Sequence, residues 1–274
     1  MKLRPATVRA YHSDLRQAAR SLPQDLISIT PRDIEEVVIV GEPGHATVAR
    51  RMSSLKRFFG WCVRHDLCPT NPVARCESVQ VKHGLPRPIP RDDRQQLEKA
   101  FDALAEPYRT IFWLLRETGM RAGEALNLRI GDIDITPSRE MLYIHEAKNG
   151  RPRPVHLGDS FTPKTLRRLR RLLKERGNDP HHAPLFRSNR QSQVTYGALL
   201  YQWGKLCQSL NLIEDVGHPQ YTIHQLRHTR GSELVEQGHS LDIVQQVLGH
   251  RDPRSTQIYA ELHPTHVRTM LERQ

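Results

Sequence analysis

The sequence predicts a mainly α-helical protein with one small β-sheet, divided into two domains. Apolar residues recur at helical spacing near both ends, whereas apolar and polar residues alternate only in a short central stretch. A proline-rich segment, VQVKHGLPRPIP at 79–90, separates the first helices from the rest and has the composition of an extended linker. We therefore expect a helical domain at 1–78 and a mixed α+β domain at 91–274.

Three helices are predicted in the first domain. The first spans about 6–22. The second begins at Thr30 and Pro31, because threonine is a good N-cap and proline fits the first helical turn. The third spans about 46–65, and its apolar residues fall on one face: Leu55, Phe58, Phe59 and Cys62.

The opposite face of the third helix is basic. It carries Arg50, Arg51, Lys56 and Arg57. A basic helical face is often only solvated, but this chain has 41 Lys and Arg residues against 30 Asp and Glu residues, a formal net charge of +11. Such a surplus is typical of proteins that bind a polyanion. We therefore predict that these four side chains contact the backbone of double-stranded DNA, and a solvated face remains the alternative.

The second domain alternates between helical and extended patterns. Three strands are predicted at 133–135, 141–147 and 153–157, and Lys148, Asn149 and Gly150 form a tight turn between the last two. Thr222 is expected to cap a helix that ends at Gly238. The other predicted helices are 91–105, 107–118, 122–128, 162–176, 195–210 and a short helix from 241 that ends at Gly249.

Several classes of protein are disfavoured by composition. The first residues contain no apolar run typical of a signal peptide, and no stretch approaches the roughly 20 apolar residues of a membrane span. The four cysteines form no CxxC pair, so we predict reduced structural thiols and no zinc site. These features predict a cytoplasmic protein.

The second domain contains side chains that together suit attack on a phosphodiester. Arginines bind phosphate oxygens as planar forks, histidines transfer protons near neutral pH, and a tyrosine hydroxyl can bond covalently to phosphorus. Each has a plain structural alternative, such as a surface ion pair for Arg121 and Glu124 or a packing role for the tyrosine. The candidates are Arg121, Lys148, His224, Arg227, His250 and Tyr259, with Glu124 supporting Arg121.

Two histidines one helical turn apart raise the alternative of a metal site. His224, Arg227 and His228 share one helical face. The glutamate of an HExxH motif is missing and no third ligand is evident, so no metal is predicted. We expect His228 to be structural and to bond to the backbone.

Taken together, these segments resemble the tyrosine recombinases, the phage-integrase-like site-specific recombinases. The resemblance is carried by TGMRAGEALNL, HQLRHTRGSELVEQG, VQQVLGHRDPRSTQIYAEL and the KNGR hairpin, with weaker likeness in AYHSDLRQ and RRMSSLKRFFGWC. It implies an N-terminal core-binding domain and a C-terminal catalytic domain. It also implies phosphate binding by Arg121 and Arg227, and Tyr259 as the nucleophile. The remaining implied roles are Lys148 as general acid, His224 as general acid/base and His250 as a phosphate hydrogen-bond donor.

The resemblance implies DNA cleavage and rejoining through a covalent 3′-phosphotyrosine, without ATP, a metal or another cofactor. It further implies a homo-oligomer, a tetramer on two duplexes, in which residues after Tyr259 dock on a neighbouring protomer. Two alternatives stay open. One is a type IB-like topoisomerase, which uses similar chemistry to relax supercoils, and the other is a DNA-binding protein of this fold without catalysis.

Overall fold

A computed structural model describes residues 5–79, 85–145 and 153–249, together with Thr256 and Tyr259. Within these residues lie ten α-helices and one three-stranded sheet, which confirms the prediction of a mainly helical protein with a small sheet. The chain forms two compact units, 1–84 and 85–274. The predicted linker at 79–90 spans this division, and 80–84 lie outside the described residues. Ile89, near its end, is buried in the core of the second unit.

The first unit is a small helical bundle. Its helices are α1 (Pro5–Ala18), α2 (Pro31–Val38) and α3 (His45–Arg64), followed by a 3₁₀ turn at Pro72–Arg75. Helix α2 begins as predicted: Thr30 accepts a hydrogen bond from the Asp33 amide, and the Asp33 carboxylate accepts one from the Thr30 amide. The core of the unit contains Ala18, Ile29, Ile34, Val37, Val38, Leu55, Phe59, Cys62, Cys68 and Val73.

The second unit is built around helix α5. Its helices are α4 (Arg91–Ala103), α5 (Tyr108–Thr118), α6 (Ala122–Leu126), α7 (Pro163–Glu175), α8 (Tyr196–Ser209), α9 (His224–Glu236) and α10 (Leu241–Leu248). Helix α5 is buried on most of its surface, including the polar Thr110, Arg116 and Thr118, and it packs against α4, α7 and α9. Phe101, Phe112 and Trp203 join α4, α5 and α8 in one aromatic cluster.

The sheet is antiparallel, in the order β1 (Ile133–Asp134), β2 (Met141–Ile144) and β3 (Arg153–His156). Leu142 of β2 pairs with Val155 of β3, and Ile144 pairs with Arg153 at the far end. Leu142, Ile144 and Val155 are buried, so one sheet face joins the core. The predicted turn at Lys148 follows this far end, and 146–152 lie outside the described residues.

Helix α9 is held by a network of partly buried ion pairs. Arg116 of α5 donates to both carboxylate oxygens of Glu233, at 2.7 Å and 2.5 Å, and its Nε donates to Glu98 at 2.7 Å. Arg94 of α4 also pairs with Glu233, at 2.6 Å. Burial lowers the pKa of Arg116, but the hydrogen bonds and charges of Glu233 and Glu98 outweigh it and leave the pKa raised. The position of α9 is therefore set by balanced charges.

The start of α9 differs from the prediction. The helix begins at His224 with Ile223 as its N-cap, and Thr222 does not cap it. The Thr222 amide and hydroxyl instead donate to the side-chain oxygen of Gln225, at 2.7 Å and 3.3 Å. The prediction was wrong because the Thr222 hydroxyl accepts no hydrogen bond from a backbone amide of α9, and only the bonds to the Gln225 side chain form. The end of α10 is as predicted, since Gly249 adopts a left-handed conformation with φ of 67°.

Candidate active site

Arg121 lies at the junction between α5 and α6. It is the N-cap residue of α6, and the buried Glu124 holds it twice. One carboxylate oxygen accepts from the Arg121 amide at 3.0 Å, and the other accepts from its Nη1 at 2.9 Å. Burial would raise the pKa of Glu124, but the Arg121 amide and the charges of Arg153 and Arg121 outweigh it and lower the pKa. Glu124 is therefore an ionised carboxylate that orients Arg121.

The turn that precedes Arg121 requires glycine. Gly119 ends α5 with φ of 64°, and a Cβ there would lie 2.7 Å from Leu248 and 3.2 Å from Arg230. The Gly119 carbonyl accepts a hydrogen bond of 2.8 Å from Nη1 of Arg227. One tight turn thus connects the segment that carries Arg121 with the arginine of α9.

Arg227 is a buried cation with an unused donor. The residue is 2% exposed, and its Nη2 makes no hydrogen bond within the part of the chain that the structure describes. Burial, together with the charge of Arg121, lowers the pKa of Arg227 to about 9. A buried guanidinium with a free donor beside a second arginine is suited to an anionic ligand, whose charge offsets the desolvation cost.

Tyr259 packs on the same helix. It is 1% exposed, and its ring rests on Gly231, where a Cβ would lie 2.6 Å from two ring carbons. Its hydroxyl is 3.2 Å from Nδ1 of His228. Burial raises the pKa of Tyr259 to about 12, against the opposing charge of Arg227, so the phenol is protonated at neutral pH.

The two histidines of α9 differ in environment. His224 is exposed, and its ring lies edge-on to that of His228 at 4.9 Å. His228 is partly buried, and burial and the charge of Arg227 lower its pKa, which favours the neutral imidazole. His228 faces the Tyr259 hydroxyl, whereas a bond from His228 to the backbone was predicted from the sequence. The prediction differs because Tyr259 lies 31 residues later in the chain, and its packing beside His228 is a tertiary contact.

A third arginine, Arg153, belongs to this cluster and was missed from the sequence. It begins β3, and its Nη2 donates to Glu124 at 3.0 Å. Arg121 and Arg153 therefore share one carboxylate. A signal was available, because Arg153 follows the KNGR hairpin within two residues, but its relation to Glu124 depends on how the sheet packs.

Two predicted site residues, Lys148 and His250, lie outside the described residues, as do residues 260–274. Gly249, which precedes His250, is described. Tyr221, the alternative nucleophile nearest the HQLRH segment, is occupied elsewhere: its hydroxyl donates to Asp93 at 2.5 Å. Burial and the bond to Asp93 raise its pKa to about 12.

The basic face of α3 divides into two pairs. Arg50 forms an ion pair with the buried Asp14, and Arg51 donates to the carbonyls of Val38 and Val40, at 2.8 Å each. Both therefore hold the first unit together. Lys56 and Arg57 are exposed. The role of all four in DNA binding stays a prediction.

The described residues contain no group of three or more His, Cys, Asp or Glu side chains arranged to hold a metal ion. None of the helices described has the length and apolar character that crossing a membrane requires.

Comparison with known proteins decides the family. Residues 89–266 match the phage integrase family, and residues 1–66 match the phage integrase N-terminal SAM-like domain. The chain belongs to the phage integrase family. Its relatives include tyrosine recombinase XerC of Corynebacterium efficiens, 30% identical over 272 residues that cover 94% of this chain and 81% of the relative. XerC of Thermodesulfovibrio yellowstonii is 28% identical over 273 residues, covering 95% of this chain and 87% of the relative.

Solved structures of this family share the fold. XerH recombinase bound to a palindromic difH substrate matches with a TM-score of 0.75 and 20% identity, covering 97% of this chain and 79% of that one. A lambda integrase tetramer bound to a Holliday junction matches with a TM-score of 0.74 and 20% identity, covering 94% of this chain and 72% of that one. The predicted family, fold and activity are confirmed: this phage integrase family member is a site-specific recombinase that cleaves and rejoins DNA. The topoisomerase alternative is not favoured.

Proposed function

We propose that this recombinase attacks a DNA phosphodiester with the Tyr259 hydroxyl while Arg121 and Arg227 bind the scissile phosphate. The observation that carries the proposal is Arg227, a buried guanidinium that is held by the Gly119 carbonyl and retains a free donor. Arg121 lies at the other end of the same turn, and the Tyr259 ring rests one helical turn further along α9. Two cations and a nucleophile thus converge on the first half of α9.

The chemistry needs these groups because the transition state gathers negative charge on the non-bridging phosphate oxygens. Preorganised donors stabilise such charge, each contributing about 3 kcal/mol by analogy with oxyanion holes. As the bond between the tyrosine oxygen and phosphorus forms, the phenol proton passes to an imidazole of α9. The bond to the 5′-oxygen breaks, and that oxygen takes up a proton from the proposed general acid, Lys148. The product is a 3′-phosphotyrosine and a 5′-hydroxyl. Attack by another 5′-hydroxyl reverses these steps, so rejoining requires no nucleotide.

Tyr259 cannot react where it lies. At 1% exposure its hydroxyl is shielded from any DNA phosphate, and its raised pKa keeps it protonated. We propose that Tyr259 moves when DNA binds and brings its phenol towards Arg121 and Arg227. Nearby cations favour the phenolate and so lower the pKa there. Of the two imidazoles on α9, the resemblance assigns proton transfer to His224, and His228 is the one within 3.2 Å of the hydroxyl.

The remaining roles rest on the sequence. Lys148 is proposed as the general acid for the 5′-oxygen, and His250 as a donor to the phosphate. We further propose 1–78 as the DNA core-binding domain, 79–90 as its linker and 91–274 as the catalytic domain. No metal or nucleotide cofactor is proposed, since side chains supply the cations.

The proposed partners are a specific DNA site and further copies of this chain. The net charge of +11 and the exposed Lys56 and Arg57 suit a DNA backbone. The lambda integrase structure, a tetramer on a Holliday junction, supports a tetramer on two duplexes. A recombinase of genomic or mobile DNA acts where that DNA lies, which in a bacterial cell is the cytoplasm.

The test is covalent capture on a nicked suicide duplex, read as a slow protein–DNA band on a denaturing gel. Tyr259→Phe removes one oxygen, keeps the ring and is expected to abolish the band while DNA binding persists. Tyr221→Phe is the matched control, a second buried tyrosine of the same unit, and is expected to keep it. A Tyr259→Phe band of wild-type strength would refute the assignment. Loss of the wild-type band in EDTA, with return on adding magnesium, would refute metal independence.

A further inference from the structure

We propose that Arg153 is a positioning residue of this active site. Its guanidinium bridges two groups: the Glu124 carboxylate, which orients Arg121, and the C-terminal end of α10. It thereby sets the geometry with which Arg121 meets the phosphate. The inference rests on the proposed function, in which Arg121 binds the scissile phosphate.

The first arm of Arg153 reaches Glu124. Its Nη2 donates to Glu124 Oε2 at 3.0 Å, and the same oxygen accepts the Arg121 amide at 3.0 Å. The other oxygen, Oε1, accepts Nη1 of Arg121 at 2.9 Å. The carboxylate is thus held by donors from two segments, α6 and β3. A carboxylate fixed from both sides cannot rotate with the arginine that it orients.

The second arm reaches the end of α10. Nη1 of Arg153 donates to the Val247 carbonyl at 3.3 Å. The last carbonyls of a helix have no partner within it, and a cation is favoured there. Gly249 lies directly against this side chain, since a Cβ there would be 2.3 Å from the Arg153 Nε and 2.6 Å from its Cδ and Cζ. His250, another proposed phosphate ligand, is the next residue along the chain.

Arg153 is placed to orient its neighbours, because both of its terminal nitrogens donate to protein acceptors in two different elements. Lysine cannot reproduce this arrangement, since its ammonium is a single point of attachment and lacks the planar fork. Charge adds a second argument. Arg121, Arg153 and Arg227 surround one buried carboxylate, and burial and the charge of Arg121 lower the pKa of Arg153 against the opposing effect of Glu124. The excess positive charge is suited to an anion.

The test compares two DNA substrates in single-turnover covalent capture at saturating DNA. One has an ordinary scissile phosphate, and the other has a methylphosphonate there, which lacks one negative charge and so needs less from Arg121. We expect Arg153→Gln and Arg153→Lys to slow capture on phosphate about 100-fold, the effect of a small misplacement of catalytic groups. On methylphosphonate we expect the loss to shrink below about tenfold. DNA affinity is expected to stay within about twofold of the wild-type value, because Arg121 contributes mainly to stabilising the transition state.

The matched control is Arg170→Gln, which removes an arginine paired with Glu140 and Asp159 in the same unit. It is expected to capture both substrates at the wild-type rate. Arg153→Lys keeps the positive charge and the aliphatic part of the side chain. It therefore tests the proposal if circular dichroism shows that Arg153→Gln is not folded. Equal losses on the two substrates would indicate a merely structural role and overturn the proposal, as would a wild-type rate on phosphate.

Failure of the proposed function can be distinguished from failure of the proposal for Arg153. If the wild-type protein forms no adduct on phosphate, the assignment of chemistry fails first. The Arg153 contact is then tested by thermal unfolding of Arg153→Gln, Glu124→Gln and the double variant. Shifts in Tm that do not add up support the shared carboxylate, whereas additive shifts overturn it. The pair Arg170→Gln and Glu124→Gln is expected to be additive.

Discussion

Two clusters of charge surround α9, and they differ in balance. On one side, Arg94 and Arg116 face Glu98 and Glu233, so each cation has a carboxylate. On the other, within the described residues, three arginines at positions 121, 153 and 227 share the single carboxylate of Glu124. Both clusters are partly buried. The first is complete without a ligand, whereas the second carries surplus positive charge and a free donor on Arg227. Charge balance therefore separates a structural ion network from the cluster that is proposed to bind the scissile phosphate.

Glu233→Gln breaks the balanced cluster and is expected to have the largest effect. It leaves Arg116 and Arg94 with one carboxylate between them. Breaking a fully buried pair costs about 3–5 kcal/mol, and this partly buried pair is expected to cost less than that. The measurement is the free energy of unfolding in urea. A change of the same size in Asp159→Asn, which alters an exposed pair with Arg170, would remove the contrast.

Arg227→Gln tests the unbalanced cluster and is expected to act on rate more than on stability. The pKa of Arg227 is lowered in the folded protein, so the folded state disfavours its charged guanidinium. Replacing the guanidinium by a neutral amide therefore removes an unfavourable contribution to the free energy of folding. Covalent capture is expected to slow about 10²–10³-fold. Suicide-substrate capture and urea unfolding of the same preparation report the two effects. A stability loss as large as that of Glu233→Gln would contradict the comparison.

His228 makes the stability of this side of α9 depend on pH. Its folded pKa is lowered, so the unfolded chain, with an ordinary pKa near 6.5, binds the proton more tightly. This contribution is fully present above pH 6.5 and is lost as pH falls below it towards the folded pKa. The slope is at most about 1.4 kcal/mol per pH unit. Unfolding free energies between pH 5 and 8 check this, and His228→Gln is expected to flatten the profile.

Lys56→Gln is expected to have the smallest effect and tests the basic face of α3. The side chain is exposed, so unfolding is expected to be unchanged. DNA affinity is expected to fall, with the slope of log affinity against log salt reduced by about one. Arg32→Gln, which removes an exposed cation paired with Glu36 on α2, is the control. Equal slopes for all three proteins would exclude a phosphate contact by Lys56.

Local patterns predicted most of the fold. Helical spacing located α1 to α10 to within a few residues. The N-cap at Thr30 and the helix end at Gly249 could each be predicted from residues within one helical turn. The motifs also identified Arg121, Arg227 and Tyr259, which the structure brings to one helix.

What local patterns missed depends on tertiary contacts. Arg116 meets Glu233 across 117 residues of chain, and Arg153 meets Glu124 across 29. His228 has its partner 31 residues on. A one-turn pattern also failed at Thr222, where the bonds to the Gln225 side chain form without a bond from a backbone amide to the threonine hydroxyl. The expected roles of Lys148 and His250 stay predictions.

The bond between Arg227 and the Gly119 carbonyl has an electrical consequence. A carboxylate in that place would hold the guanidinium but cancel its field, whereas a peptide oxygen is a neutral dipole that fixes direction and leaves the full unit charge. The buried guanidinium of Arg227 therefore maintains a positive electrostatic potential, which favours the binding of an anion beside it. The turn that presents this oxygen has room only for a residue without a side chain, so the charge of Arg227 depends on the missing Cβ of Gly119.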